Sequence, residues 1–419
     1  MGDRVVVIGA GIVGLCTAWS LEKRGWHVTM VDARTPGYGA SRVNAGRVCP
    51  TRTDPVPAPG LVKQSIEWMR HSDSPLYIQP RPSADLSRFL YLFWRHCNQK
   101  AYDSGTEAML ALAKQTDQQL DEIRASGVSF EQHSGGTLHV YESRARLEAA
   151  LRTGETLDPG EKTHFSDMIV GDDIRHIEPS LSDAVFGGFL VSEDSLVRPD
   201  TLTSGLRDYL KGKGVDIRTG TEVTGLDVSG ERVTDVRFDN GRLETDAVVI
   251  AAGSWSPQLA RYAHRRVPIQ AGKGYSIDYV PSPVEVRNQM HVDVGHHAIS
   301  PFDGMTRLAG TMELSGINER IRPERVEAII RSAARTLRNW PTDVRIPAIS
   351  SGLRPLSADG LPLIGLLKGY RNLSIAAGHG MLGLTLGPST GEALADLLTS
   401  GVPSEVLKPF DPSRFGRLA

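Results

Sequence analysis

Near the N-terminus, Gly9-Ala10-Gly11-Ile12-Val13-Gly14 fits the pattern G-x-G-x-x-G, and the acidic Asp32 follows 18 residues after the last glycine. That combination suits the pyrophosphate and ribose of a dinucleotide. Gly9 makes a tight turn, Gly11 lets the backbone approach phosphate, and Gly14 lets a helix pack closely on a strand. The helix that opens here offers free N–H groups and a positive dipole end. Asp32 can accept hydrogen bonds from both ribose hydroxyls.

Other candidates lie far down the chain. Arg354 stands between Gly352 and Pro355, which reads as a rigid turn. A buried unpaired charge is costly, so a guanidinium fork is the natural partner of a carboxylate in a dry site. Gly378-His379-Gly380-Met381-Leu382-Gly383 precedes a helical run over 384–399. Small residues there let the backbone lie against a flat ring, with the helix dipole adding partial positive charge. His379, set between glycines, is expected to contribute backbone rather than to act as a base. Tyr275, in Lys273-Gly274-Tyr275-Ser276, either points its hydroxyl into the pocket or packs, and Lys273 reads as structural. His291, His296 and His297 lack HExxH-type spacing, so no metal site is expected.

The elements that must position these residues follow from pattern. Arg4–Ile8 (RVVVI) is a wholly apolar run of the kind buried on both faces of a parallel sheet. A helix is expected over Leu15–Arg24, closed by Gly25, and a strand over His27–Val31. An NAD domain would continue with alternating strands and helices. Instead come Ser41-Arg42-Val43-Asn44-Ala45-Gly46, a loop with prolines at 50, 55, 57 and 59, and a long, mainly helical stretch. That early interruption suits a flavin dinucleotide lodged between two domains.

Leu86, Phe89, Leu90 and Phe93 give a helix with a core-facing stripe. A long helix is expected over Thr106–Ala125, and Gly135-Gly136 turn into a strand. Asp200 is a candidate N-cap for a helix over Thr201–Lys211. Strands follow at Val215–Arg218, Glu222–Val228, Arg232–Phe238 and Ala247–Ala251, with Asn240-Gly241 as a hairpin turn. Further strands at Gly274–Tyr279 and Arg307–Met312 precede a helix over Glu324–Trp340.

The 419 residues suggest two or three domains, and the formal net charge of -2 gives no basic surplus for nucleic acid or anionic lipid. Cys16, Cys49 and Cys97 are too few and too scattered for a disulfide framework or a structural zinc, so a reducing, cytoplasmic setting is expected. No apolar run reaches the roughly 18–20 residues of a membrane span.

These stretches, with Ala58-Pro59-Gly60, Gly135-Gly136-Thr137-Leu138, Lys273–Ser276, Gly352-Leu353-Arg354-Pro355, Asp359-Gly360 and Pro362, run in order along a chain that resembles the D-amino-acid oxidase superfamily, most closely the small subunit of bacterial D-amino-acid dehydrogenases. Departures lie in the loop Thr51–Pro57, at Asp32, where Glu is common, and around His291, His296 and His297. The resemblance implies an α/β fold: a Rossmann-type, glutathione-reductase-like FAD-binding domain (1–50, 180–268, 346–419) interleaved with an α+β substrate domain on a mixed or antiparallel sheet (51–179, 269–345). It implies Arg354 and Tyr275 at the substrate. FAD would contact Gly9, Gly11, Ile12, Val13, Gly14, Asp32, Ala33, Ser41, Arg42, Asn44, Ala45, Gly46, Val223, Ala252, Gly253, Trp255, Gly378, Gly380, Met381, Leu382 and Gly383. Sarcosine oxidases hold flavin through a late cysteine; here none follows Cys97, so FAD is expected to be non-covalent.

The implied reaction is oxidation of a small amine, foremost a free D-amino acid to its 2-oxo acid through an imine. Glycine, sarcosine, a cyclic secondary amine or a biosynthetic intermediate are the alternative substrates, and a non-catalytic flavin subunit is a further alternative. Electrons would pass to O2, a quinone or a carrier protein, with peripheral contact at the inner membrane face, or an oligomer, left open.

Overall fold

The computed structural model describes residues 3–68, 76–79, 83–157, 166–341 and 348–418. The apolar run Arg4–Ile8 is the middle of a six-stranded sheet. The order across it is Asp216–Thr219, His27–Asp32, Arg4–Ile8, Ala247–Ile250, Leu373–Ala377 and Leu363–Leu366. All neighbours are parallel except the last pair. Val5 to Ile8 are buried because both faces are covered. Ile12–Lys23 and Gly383–Ser400 pack on one side, and the antiparallel strands Val223–Ser229 and Arg232–Phe238 on the other. The two helices touch backbone to backbone. A Cβ at Gly391 would lie 2.6 Å from the Cys16 carbonyl carbon.

A nine-stranded sheet forms the second body. Ala348–Ser357, Ile269–Tyr279, Met305–Leu314, His297–Phe302, Gln289–Val292, Thr137–Tyr141, Gly187–Val191 and Ile169–Val170 lie in that order, and Leu76–Ile78 joins Met305–Leu314 from the side. Pairing is antiparallel apart from Gln289–Val292 with Thr137–Tyr141 and Met305–Leu314 with Leu76–Ile78. Val326, Ile329 and Ala333 of helix Pro323–Thr336 cover one face, against Leu138, Tyr275, Ile277 and Leu308. Strands Gly187–Val191 and Ala348–Ser357 fall in stretches expected to belong to the nucleotide domain, yet they sit in this sheet. The expected boundary at 345/346 lies outside the described residues.

Several elements differ from the sequence reading. The single helix over Thr106–Ala125 is two, Gln99–Ala113 and Thr116–Ala125. The break places the buried Thr116 so that its hydroxyl donates to the Thr385 carbonyl at 2.9 Å. Asp200 is not the N-cap: the helix starts at Pro199, whose fixed φ suits the first position, and Arg198 caps it. The hairpin turn is Asp239-Asn240, and Gly241 begins the return strand opposite Phe238. The helix over Glu324–Trp340 ends at Thr336. Gly352-Leu353-Arg354-Pro355 is the interior of a ten-residue strand, not a turn. Phe89, Leu90 and Phe93 of the expected stripe do face the core, while Leu86 is only half-buried, and no described helix is long and apolar enough to cross a membrane.

Candidate active site

A cavity of about 380 Å³ opens at the C-terminal ends of the central parallel strands, the usual place for a ligand in such sheets. Gly9, Gly11, Ile12, Val13, Asp32, Ala33, Ser41, Asn44, Val223, Ala252, Gly253, Trp255, Gly380 and Gly383 line it, as the sequence led one to expect. At two glycines of the motif nothing larger fits. A Cβ at Gly9, whose φ is +109°, would meet the Ala251 carbonyl oxygen at 2.5 Å, and one at Gly14 would meet the Gly9 carbonyl oxygen at 2.0 Å.

Asp32 ends its strand with both carboxylate oxygens engaged. One accepts the Ala10 N–H at 2.7 Å and the other the Arg34 N–H at 2.8 Å. Burial nevertheless raises its pKa above the usual aspartate value. A carboxylate has about four acceptor sites, so each oxygen can still take a hydroxyl. Asp32→Ala is expected to weaken FAD binding by about 10- to 100-fold, the worth of a charged hydrogen bond. Fluorescence titration of the apoprotein checks this, and unchanged affinity would remove Asp32 from the ribose site.

Other expected contacts shape the site without lining the cavity. Gly14 packs helix on turn. Arg307 Nη1 donates to the carbonyls of Arg42 and Asn44, both at 2.9 Å, and Ser300 Oγ to that of Ala45 at 2.6 Å. Gly46, at φ +90°, lies against the Val197 carbonyl, where a Cβ would sit 2.6 Å from the oxygen. Gly378 holds a turn at φ +88°, Met381 is half exposed, and Leu382 caps the closing helix. Sequence reasoning missed Arg34, Tyr38, Glu222, Gln258 and Tyr262, which line the end of the cavity near Asp32. Arg34 lies over the Trp255 ring at 4.9 Å. These residues come from three separate segments, and no local pattern joins them.

Arg354 is not among the residues that line the cavity; it lies in the strand between Leu353 and Pro355, which are. Its guanidinium crosses Gly274, where a Cβ would come within 2.0 Å of Nη1. Nη1 donates to the Thr311 carbonyl at 2.7 Å. Thr311 has φ +66° and occupies a bulge opposite Lys273 and Tyr275, so a strained backbone aims that carbonyl. Burial draws the guanidinium down to about 10, and no acidic side chain among the described residues offsets it. At neutral pH it is still a cation, and a carboxylate is the partner it lacks.

Tyr275 does not reach the cavity. Alternation along Ile269–Tyr279 sends Lys273, Tyr275 and Ile277 to the face opposite Gly272, Gly274 and Ser276. Tyr275 donates to buried Glu313 Oε1 at 2.6 Å, beside Lys273 at 3.2 Å and Arg325 at 3.2 Å from the same carboxylate. The tyrosine closes a buried ion cluster, and Lys273 is structural with it.

His379 lies in the cavity wall with Nε2 3.0 Å from Thr390 Oγ1. Burial lowers its pKa to about 3. It is therefore neutral throughout the working range. His379→Gln is expected to leave the shape of the pH profile of anaerobic flavin reduction between about pH 6 and 9 unchanged. A profile that loses a limb in the variant would make His379 a titrating participant.

The cavity, the glycine cradle, the carboxylate acceptor and the closing helix N-terminus fit FAD. A family model described as FAD dependent oxidoreductase matches residues 4–397. A D-amino acid dehydrogenase of Cereibacter sphaeroides is 33% identical over 411 residues, covering 96% of this chain and 92% of that protein. Two solved structures share the fold: a glycine oxidase from Geobacillus kaustophilus (TM-score 0.77, 22% identity, 98% of this chain and 99% of that one) and an L-proline dehydrogenase from P. horikoshii (TM-score 0.77, 19% identity, 100% and 98%). FAD is the cofactor that the cavity fits and the family model names, and the chain belongs to the FAD-dependent oxidoreductase family.

Proposed function

We propose that this enzyme oxidises a free amino acid, foremost a D-amino acid, to an imine that hydrolyses to the 2-oxo acid and ammonia. The observation that carries this reading is Arg354, a buried cation flanked in its strand by two residues of the cavity wall, with no acidic side chain beside it among the described residues. Bound FAD supplies the two-electron acceptor, taking a hydride from the substrate Cα. The protein's share is orientation. Arg354, fixed by Gly274 and the Thr311 carbonyl, would fork the substrate carboxylate and so set which Cα bond faces the ring. Leu353, Pro355 and the backbone of Gly380 exclude water around it. The curated relative's name supports the D-configuration.

Anaerobic addition of D- and L-amino acids to the yellow holoenzyme tests the proposal. Bleaching by D-amino acids, with L-enantiomers at least an order of magnitude slower, is the expected result. An oxidised spectrum after every amino acid would overturn it. FAD should also be released by acid, since Cys16 and Cys49 are buried and no cysteine follows Cys97. Colour retained in the acid pellet would mean a covalent bond.

A further inference from the structure

The nine-stranded sheet carries a row of directly opposed residues on the face that Arg354 shares. Ser276 opposes Ala309, Ala309 opposes Ala298, Ala298 opposes His291, and His291 opposes His139. Gly272 opposes Arg354, two and four residues before Gly274 and Ser276 on the same face. Small side chains floor this row from the strand that Arg354 crosses to the strand of His291. Three strand spacings separate them, about 14 Å.

The far end is polar and basic. Arg47 lies 3.5 Å from Asp194, whose Oδ2 also accepts the Thr137 hydroxyl at 2.5 Å. The exposures decide what this pair offers: the Asp194 side chain is 0% exposed, that of Arg47 25%. The carboxylate is sealed beneath and orients the guanidinium, which also bonds the buried Cys49 thiol and is partly exposed. His139 is 3% exposed, its ring stacked on Phe189 and 5.1 Å from His291, and its Nε2 has no partner among the described residues. The hydroxyls of Thr51 and Thr53, on either side of Arg52, are buried and unpartnered as well. Unmet buried donors are uncommon in native folds. Both histidines are held well below the ordinary histidine range, by burial first and then by neighbours that include Arg47 and Arg52. The field that keeps them uncharged also favours an anion.

We infer that this trough binds a dicarboxylic substrate, with one carboxylate on Arg354 and a second, borne by the side chain, on Arg47 with His139 as a neutral donor. The inference rests on the reading of Arg354 as a carboxylate anchor. It narrows the substrate class from amino acids at large to those with an acidic side chain.

Unreactive acids test it without turnover. The oxidised holoenzyme is titrated with butyrate, valerate and hexanoate, and with succinate, glutarate and adipate, following the flavin absorbance. The best dicarboxylate should bind at least tenfold more tightly than the monocarboxylate of equal carbon number. Arg47→Gln should erase that preference and leave monocarboxylate affinity within twofold. Should Arg47→Gln fail to fold with Asp194 unpaired, Arg47→Gln combined with Asp194→Asn removes both charges and serves instead. Equal affinity for the two series overturns the inference, as does a preference that survives loss of Arg47. Bleaching by neutral D-amino acids without any dicarboxylate preference would sink this inference and leave the proposed function standing. A dicarboxylate preference in an enzyme that no amino acid reduces would sink the proposed function and leave the paired anion sites standing.

Discussion

Arg354→Ala is expected to lower kcat/KM for an amino acid by roughly 30- to several thousand-fold while FAD content stays at the parental level. Removing one partner of a buried charge pair costs about 2–5 kcal/mol, and Arg354 lies in the strand Ala348–Ser357 rather than in the nucleotide turn. Lysine should recover only part of the loss, because it gives a point charge in place of a planar fork. A carboxylate-bearing substrate and its decarboxylated amine must be compared side by side, and the loss should fall on the first. Equal losses would mean that Arg354 supports the pocket without reading a carboxylate. Gly274→Ala offers a second route to the same end. Its Cβ would come within 2.0–2.6 Å of the guanidinium, displacing the fork without removing its charge, and a displacement of about 1 Å can cost about 100-fold.

Gly14→Ala should be severe in a different way. The new methyl would lie 2.0 Å from the Gly9 carbonyl oxygen and 3.4 Å from the Ala251 methyl, and neither the turn nor the strand behind it can yield easily. Overpacking of a tight core costs about 1–3 kcal/mol and more where backbone must move. The damage falls on the loop that approaches the pyrophosphate. Purified protein should come off gel filtration largely colourless and unfold at lower denaturant concentration than the parent. Gly39→Ala is the control, since Gly39 also lines the cavity but a Cβ there meets nothing within 4 Å. Parental FAD content in Gly14→Ala would show that helix-to-turn contact does not govern the site.

The nucleotide half of the site was legible because its information is local. Gly9 to Gly14 and Asp32 carry turn, helix start and acceptor within 24 residues, each demanded by backbone geometry. The substrate half was legible only in part. Arg354 was singled out by its neighbours, and the turn read into Gly352 and Pro355 is a strand, because edge position in the sheet tolerates a proline that local propensity reads as a break. Tyr275 was misplaced for want of strand parity: knowing that Gly274 faces Arg354 would have sent Tyr275 to the other side. His139 and His291 meet only through pairing between distant strands, and Arg47 lies in a separate three-stranded sheet, so no spacing along the chain announces them.

The first strand also sets a schedule. Val5 to Ile8 pair on one side with Ala247–Ile250, which in turn pairs with Leu373–Ile375. At about 5–20 residues per second on the ribosome, Arg4–Ile8 waits on the order of 12–50 s for that partner, with an apolar edge uncovered. The usual order, in which an N-terminal domain folds first, is closed to this chain. Its nucleotide half can be completed only after Leu373–Ile375 and Gly383–Ser400 have been made, so the nascent protein depends on whatever shields Val5, Val6 and Val7 in the interval.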